Sequence, residues 1–150
     1  MRIAVGSDHA GFRLKTALVE VLREWGHEVQ DLGCFSEARA DYTDFAIPVA
    51  QRVADGQADR GLIVCGTGVG SCIAANKVAG VRAAVLSEPT SARLTRAHND
   101  ANVLCLGERV VGVEVARECL RAFVDTPFEG GRHAERLAKI AALERRPGSR

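Results

Sequence analysis

The sequence predicts an α/β protein: five parallel strands in one sheet, with helices on both faces. Two observations carry that prediction. Short apolar runs alternate along the chain with longer stretches whose apolar residues recur at helical spacing. The short runs are continuously apolar, as strands buried on both faces are. The totals agree. A chain of 150 residues, 47% hydrophobic and 26% charged, suits one globular domain. That domain is expected over residues 1–146, with residues 147–150 a frayed tail. A net charge of +1 gives no general drive toward nucleic acid or a membrane surface. No apolar run nears the roughly 20 residues of a membrane helix. Met1–Gly6 leads straight into a strand and does not read as a targeting segment. The five cysteines (34, 65, 72, 105 and 119) lack metal-site spacing, which predicts reduced thiols and a cytoplasmic protein.

The elements follow in order. Arg2–Gly6 is the first strand, and Ser7–Gly11 its polar exit. Phe12–Trp25 is a helix with Leu14, Leu18, Val21, Leu22 and Trp25 on one face and Gly26 as its stop. His27–Leu32 is the second strand, and Gly33–Tyr42 a polar connection. Thr43–Asp55 is a helix capped by Thr43 or Asp41, with Pro48 in its early turns. Leu62–Cys65 is the third strand, followed by a glycine turn and a helix over Val69–Val78. Val81–Leu86 is the fourth strand. A helix over Ser87–His98 opens with Ser-Glu-Pro, good first-turn chemistry. Asn102–Leu106 is the fifth strand. Helices over Val110–Val124 and Arg132–Arg146 flank a loop at Asp125–Gly131. Together these make a Rossmann-like three-layer α/β/α sandwich. Its expected strand order is 2-1-3-4-5, joined by right-handed crossovers.

In that order, ligands bind beyond the carboxyl ends of strands one and three. Two loops flank the crevice: Ser7-Asp8-His9 and Cys65-Gly66-Thr67. They bring an acid, an imidazole and a thiol around one opening. The stretch Leu62–Lys77 holds the strongest chemical signal, a strand, a turn with three glycines and a helix. Successive amides in such a turn form an anion-binding nest. Spacing excludes the common Gly-loop sites. Gly66 and Gly70 are four apart and Lys77 is seven past Gly70, so no triphosphate-binding loop fits. The G-x-G-x-G run follows the third strand and does not match the dinucleotide fingerprint. Ser71 stands six past Cys65, where a cysteine phosphatase would want an arginine to hold phosphoryl oxygens. Cys65 therefore has two readings: a small buried strand residue, or a thiol that acts as nucleophile or base beside the nest.

The remaining candidates also have two readings each. His98 ends a helix, where it serves the dipole or a site. His9 is a turn residue or a ligand contact, and His133 lies among charges at a helix start. Arg132 and Arg136, four apart, share one helix face, either solvated or phosphate-binding; Arg109 is placed to join them.

Six separated motifs resemble one known family. They are Ser7-Asp8-His9-Ala10-Gly11, Cys65-Gly66-Thr67-Gly68-Val69-Gly70, Ile73-Ala74-Ala75-Asn76-Lys77, Ser87-Glu88-Pro89, His98-Asn99-Asp100-Ala101-Asn102-Val103-Leu104 and Phe128-Glu129-Gly130-Gly131-Arg132-His133. In this order, across Arg2 to Leu143, they resemble the type B ribose-5-phosphate isomerases, whose wider family includes galactose-6-phosphate isomerase subunits. The resemblance implies interconversion of ribose 5-phosphate and ribulose 5-phosphate through an enediolate, in the pentose phosphate pathway, without metal or cofactor. By position it implies Cys65 as the base and His98 as the acid that opens the sugar ring. Thr67 and the amides of Gly66, Gly68, Val69 and Gly70 would hold the enediolate oxygens. Asp8, His9 and Asn99 would contact the sugar, and Arg109, Arg132 and Arg136 the phosphate. It further implies a homodimer, in some members a dimer of dimers, with sites drawn from both subunits. One branch of the family uses a glutamate on the helix after the Gly turn, but Cys72–Lys77 carries no acid here. The loop Gly33–Asp41, with Glu37 and Arg39, leaves five- against six-carbon preference open. Galactose 6-phosphate or allose 6-phosphate isomerisation is the alternative, as is a non-catalytic sugar-phosphate binding module.

Overall fold

The computed structural model describes residues 1–144. Five strands form one parallel sheet: β1 (Arg2–Ser7), β2 (Glu28–Asp31), β3 (Arg60–Cys65), β4 (Ala83–Val85) and β5 (Val103–Gly107). The helices are α1 (Phe12–Glu24), α2 (Thr43–Ala54), α3 (Val69–Ala75), α4 (Pro89–Asn99), α5 (Val113–Asp125) and α6 (Arg132–Glu144). A single 3-10 turn, His9–Gly11, precedes α1. The α/β/α sandwich and every element type are as the sequence predicts.

Strand side chains alternate between two cores, one on each face of the sheet. Ile3, Val5, Leu62, Val64, Leu104 and Leu106 pack with α1, α4 and α5 on one side. Ala4, Ile63, Val103 and Cys105 pack with α2 and α3 on the other. Helix α6 lies outside these layers against α4, and His133 is its one buried residue.

The strand order is β2-β1-β3-β5-β4, which corrects the expected 2-1-3-4-5. Burial explains the exchange. All five residues of β5 are buried, whereas β4 has three residues, none of them buried. The longer, wholly apolar strand takes the interior position and the short one the edge. Asn76 closes that edge: its Nδ2 donates to the Ala83 carbonyl at 2.9 Å, and its Oδ1 accepts from the Ala83 amide at 2.9 Å.

Element ends shift where turns compete. Val110 and Val111 donate to the Gly107 carbonyl in a tight turn, so α5 starts only at Val113. Neither Thr43 nor Asp41 caps α2 with its side chain; Tyr42 occupies the N-cap without such a bond. Glu88 caps α4, accepting from Thr90 and Ser91 amides at 2.8 and 2.5 Å. Arg145 and Arg146, expected to end the last helix, and the tail 147–150 lie outside the described residues. No helix among the described residues is long and apolar enough to cross a membrane.

The turn before α1 sits against β3 with no room to spare. A Cβ on Gly11 would overlap the Val64 carbonyl oxygen. Gly11→Ala is therefore expected to destabilise the fold by about 1–3 kcal/mol, the usual cost of overpacking. Urea unfolding checks this, and an unchanged midpoint contradicts it.

Candidate active site

The carboxyl ends of β1, β3 and β5 meet at one crevice of about 460 Å³. It is lined by Asp8, His9, Cys65, Gly66, Thr67, Gly70 and Arg109 from the expected set, and by Ala10, Arg39 and Tyr42 besides. The observed strand order is what admits Arg109. Cys65 pairs with Gly107 across β3 and β5, and the chain beyond each strand stays paired. Glu108 donates its amide to the Cys65 carbonyl at 3.0 Å, and Arg109 to the Gly66 carbonyl at 3.1 Å. Gly107 makes this approach possible, since a Cβ there would lie 2.6 Å from the Thr67 carbonyl carbon.

The turn after β3 is built around its sulfur. Gly68 has φ +80°, and a Cβ there would sit 2.7 Å from Val85 Cγ2. Its amide donates to Cys65 Sγ at 3.1 Å. Val69 donates its amide to Thr67 Oγ1 at 3.4 Å, which orients that hydroxyl. Cys65 is 4% exposed, so its sulfur sits at the floor of the crevice, screened from bulk water.

On the opposite wall, Asp8 accepts from the Gly11 amide at 3.0 Å and thereby caps the 3-10 turn. The His9 Nδ1 lies 3.0 Å from the Ala40 carbonyl oxygen and 3.2 Å from the Ala40 amide nitrogen, so the backbone of the 33–42 segment orients its ring. That segment also brings in Arg39 and Tyr42. Tyr42 was missed in the sequence because it lies at the end of a polar loop with no pattern around it. Its ring packs on Gly70, where a Cβ would meet it at 2.9 Å.

Six expected site residues do not line this crevice: Gly68 and Val69 continue the turn beside it, and four others lie elsewhere. His98 and Asn99 end α4, whose direction opposes the strands, so they lie at the amino ends of the sheet. The five residues of β5 alone rise roughly 16 Å between the two ends. Arg132 and Arg136 begin α6 at that same far end and are exposed. There the His98 and His133 rings stack with centroids 4.4 Å apart and planes 6° apart. Glu129 Oε2 lies 3.8 Å from His98 Nε2 and 3.7 Å from His133 Nε2. Among the described residues this is the one trio of His, Cys, Asp or Glu donors close enough to share a metal ion. Its parallel rings send their nitrogen lone pairs side by side, where a metal wants them convergent.

The other thiols divide by environment. Contact with the Cys105 thiol, ahead of contacts from Val85 and Asn76, lowers Cys72 to about 7. Cys105 is raised by the same contact and by full burial. Burial, chiefly, raises Cys119 to about 11.

The chain matches the Ribose/Galactose Isomerase family over residues 3–140. It is 52% identical to ribose-5-phosphate isomerase B of Escherichia coli over 97% of each chain. The structure of Clostridium thermocellum ribose-5-phosphate isomerase B superposes with a TM-score of 0.95 at 48% identity, covering 96% of this chain and 97% of that one. Ribose-5-phosphate isomerase B of Mycoplasma genitalium, solved with bound ribulose-5-phosphate, has a TM-score of 0.93 at 42% identity, with 97% of both chains covered.

The thiol environments predict an order of reaction with iodoacetamide, since the thiolate is the nucleophile. Cys72 is expected to be alkylated ahead of Cys105 and Cys119, with a rate that rises through about pH 7. Peptide mass spectrometry reads this order, and label appearing first on Cys119 contradicts it.

Proposed function

Because this chain belongs to the ribose/galactose isomerase family, we propose that it interconverts ribose 5-phosphate and ribulose 5-phosphate through an enediolate, with Cys65 as the base. The observation that carries this reading is the Cys65 sulfur on the floor of a crevice ringed by amides, an acid and an imidazole. Aldose–ketose isomerisation needs a base over two adjacent carbons and donors aimed at the two oxygens where charge grows.

The steps divide among the residues as follows. His98 protonates the ring oxygen and opens the furanose. Cys65, as thiolate, takes the proton from C2 and returns it to C1. The amides of Gly66, Gly68, Val69 and Gly70, with the Thr67 hydroxyl, hold O1 and O2 as the enediolate forms. Asp8, His9 and Asn99 bind the sugar hydroxyls. Arg109, Arg132 and Arg136 hold the phosphate, whose binding energy positions the reacting carbons.

This division requires two chains. His98, Asn99, Arg132 and Arg136 stand too far from Cys65 to serve the same crevice within one chain, so a second copy supplies them in a homodimer with shared sites. An apolar surface beside the crevice supports such a contact. Val69 and Ile73, one turn apart on α3, are 50% and 58% exposed. Ile47 of α2 and Val85 of β4 are exposed on the neighbouring elements. Isologous pairing would bury these faces together. The reaction places the protein in pentose phosphate metabolism in the cytoplasm.

Cys65→Ala is expected to fold normally and lose ribose 5-phosphate turnover by about a thousandfold or more, as loss of a base that also sets geometry does. A coupled assay with circular dichroism of the variant checks this. Turnover within tenfold of the unmodified protein removes Cys65 from the role.

A further inference from the structure

The far end of the sheet holds two side chains that none of these steps uses, Glu129 and His133. Their placement is specific. Gly130 and Gly131 take φ +68° and +53°, a turn that other residues make only with strain. The turn is pinned at both sides: the Glu129 amide donates to the Ala97 carbonyl at 3.0 Å, and the His133 amide to the Gly130 carbonyl at 3.1 Å. It folds α6 back so that His133, 7% exposed, lies flat on the ring of His98. Glu129 Oε2 stands beside the Nε2 of both rings.

Simple docking of α6 does not account for this choice of residues. A buried imidazole has polar edges to satisfy, and an aliphatic side chain would fill the place without that cost. Two imidazolium rings 4.4 Å apart would repel strongly, so the stack does not favour charging both. Burial first, then His98 and Arg132, hold the His133 imidazole below its usual value, with Glu129 opposing.

We propose that His133 and Glu129 are positioning residues for His98, the stacked ring fixing its plane and the carboxylate steadying its charged form. This rests on the reading of His98 as the ring-opening acid. In that step the C1–O4 bond breaks, O4 takes a proton from the imidazolium, and the proton released from the C1 hydroxyl as C1=O forms returns to the imidazole. A ring held in one plane meets O4 in one geometry, and loss of that geometry slows opening alone.

The test separates ring opening from proton transfer at carbon. Ribulose 5-phosphate has no ring, so deuterium wash-in from D₂O to its C1 needs Cys65 and not His98. Glu129→Gln and His133→Ala are expected to lower kcat for ribose 5-phosphate about tenfold or more, while wash-in stays within about twofold. His133→Phe keeps a flat ring and is expected to recover most of the loss seen with alanine. Turnover and wash-in falling together, or neither falling, overturns the proposal. Glu129 is exposed, so Glu129→Gln gives a folded protein even where His133→Ala does not. Absence of wash-in with the unsubstituted protein overturns the isomerase reading and this proposal with it; the other results bear on positioning alone.

Discussion

The parallel pairing of β3 with β5 is the contact on which the crevice depends. It sets Cys65 opposite Gly107 and lets two successive amides, those of Glu108 and Arg109, bond the carbonyls of Cys65 and Gly66. The pairing in turn depends on Gly107 having no side chain. Glu108 extends the effect by accepting a first-turn amide of α1, that of Leu14, at 3.0 Å. One residue thus ties the exit of β5 to the exit of β3 and to the helix that follows the Asp8 loop. Close backbone approach, and no single strong bond, holds the three loops in register around the sulfur.

A second arrangement organises the opposite end of the sheet. Asp100 adopts φ 45°, strained for a side-chain-bearing residue, and ends α4 abruptly. Its carboxylate accepts from Arg96 at 2.8 Å and from Arg82 at 2.9 Å. Arg96 is 2% exposed, so removing Asp100 would leave a buried charge uncompensated. This clamp fixes where His98 and Asn99 emerge. The two ends of one sheet therefore carry the two groups of residues that the proposed reaction brings to one substrate.

Much of this was legible in the sequence for identifiable reasons. Four strands are short apolar runs, the second, His27–Leu32, alternates, and helical stretches carry apolar stripes, so element types follow from periodicity. Strand order is a property of the whole sheet. The run Val81–Leu86 is as apolar as Asn102–Leu106, and only packing shows that Ala83–Val85 is the edge. The residues that line the crevice from the ends of β1 and β3 were readable because topology places them there. Arg109 became a crevice residue through the exchanged order. Arg39 and Tyr42 come from a loop whose path depends on backbone bonds between Ser7 and the Gly33–Cys34 segment, and no residue pattern reports such a path. His133 read as one charge among several, and its stacking on His98 appears only once the two glycines fold α6 back.

The central claim is that one crevice is completed by His98 from a second chain. Coexpressing the Cys65→Ala and His98→Ala chains tests it most directly, because each variant alone lacks one half of every site. In a mixed pair, one site joins the intact Cys65 of one chain to the intact His98 of the other. With random pairing, the mixture is expected to recover about one quarter of the unsubstituted activity, as isologous symmetry dictates. Mixed dimers that form and remain inactive would contradict a shared site.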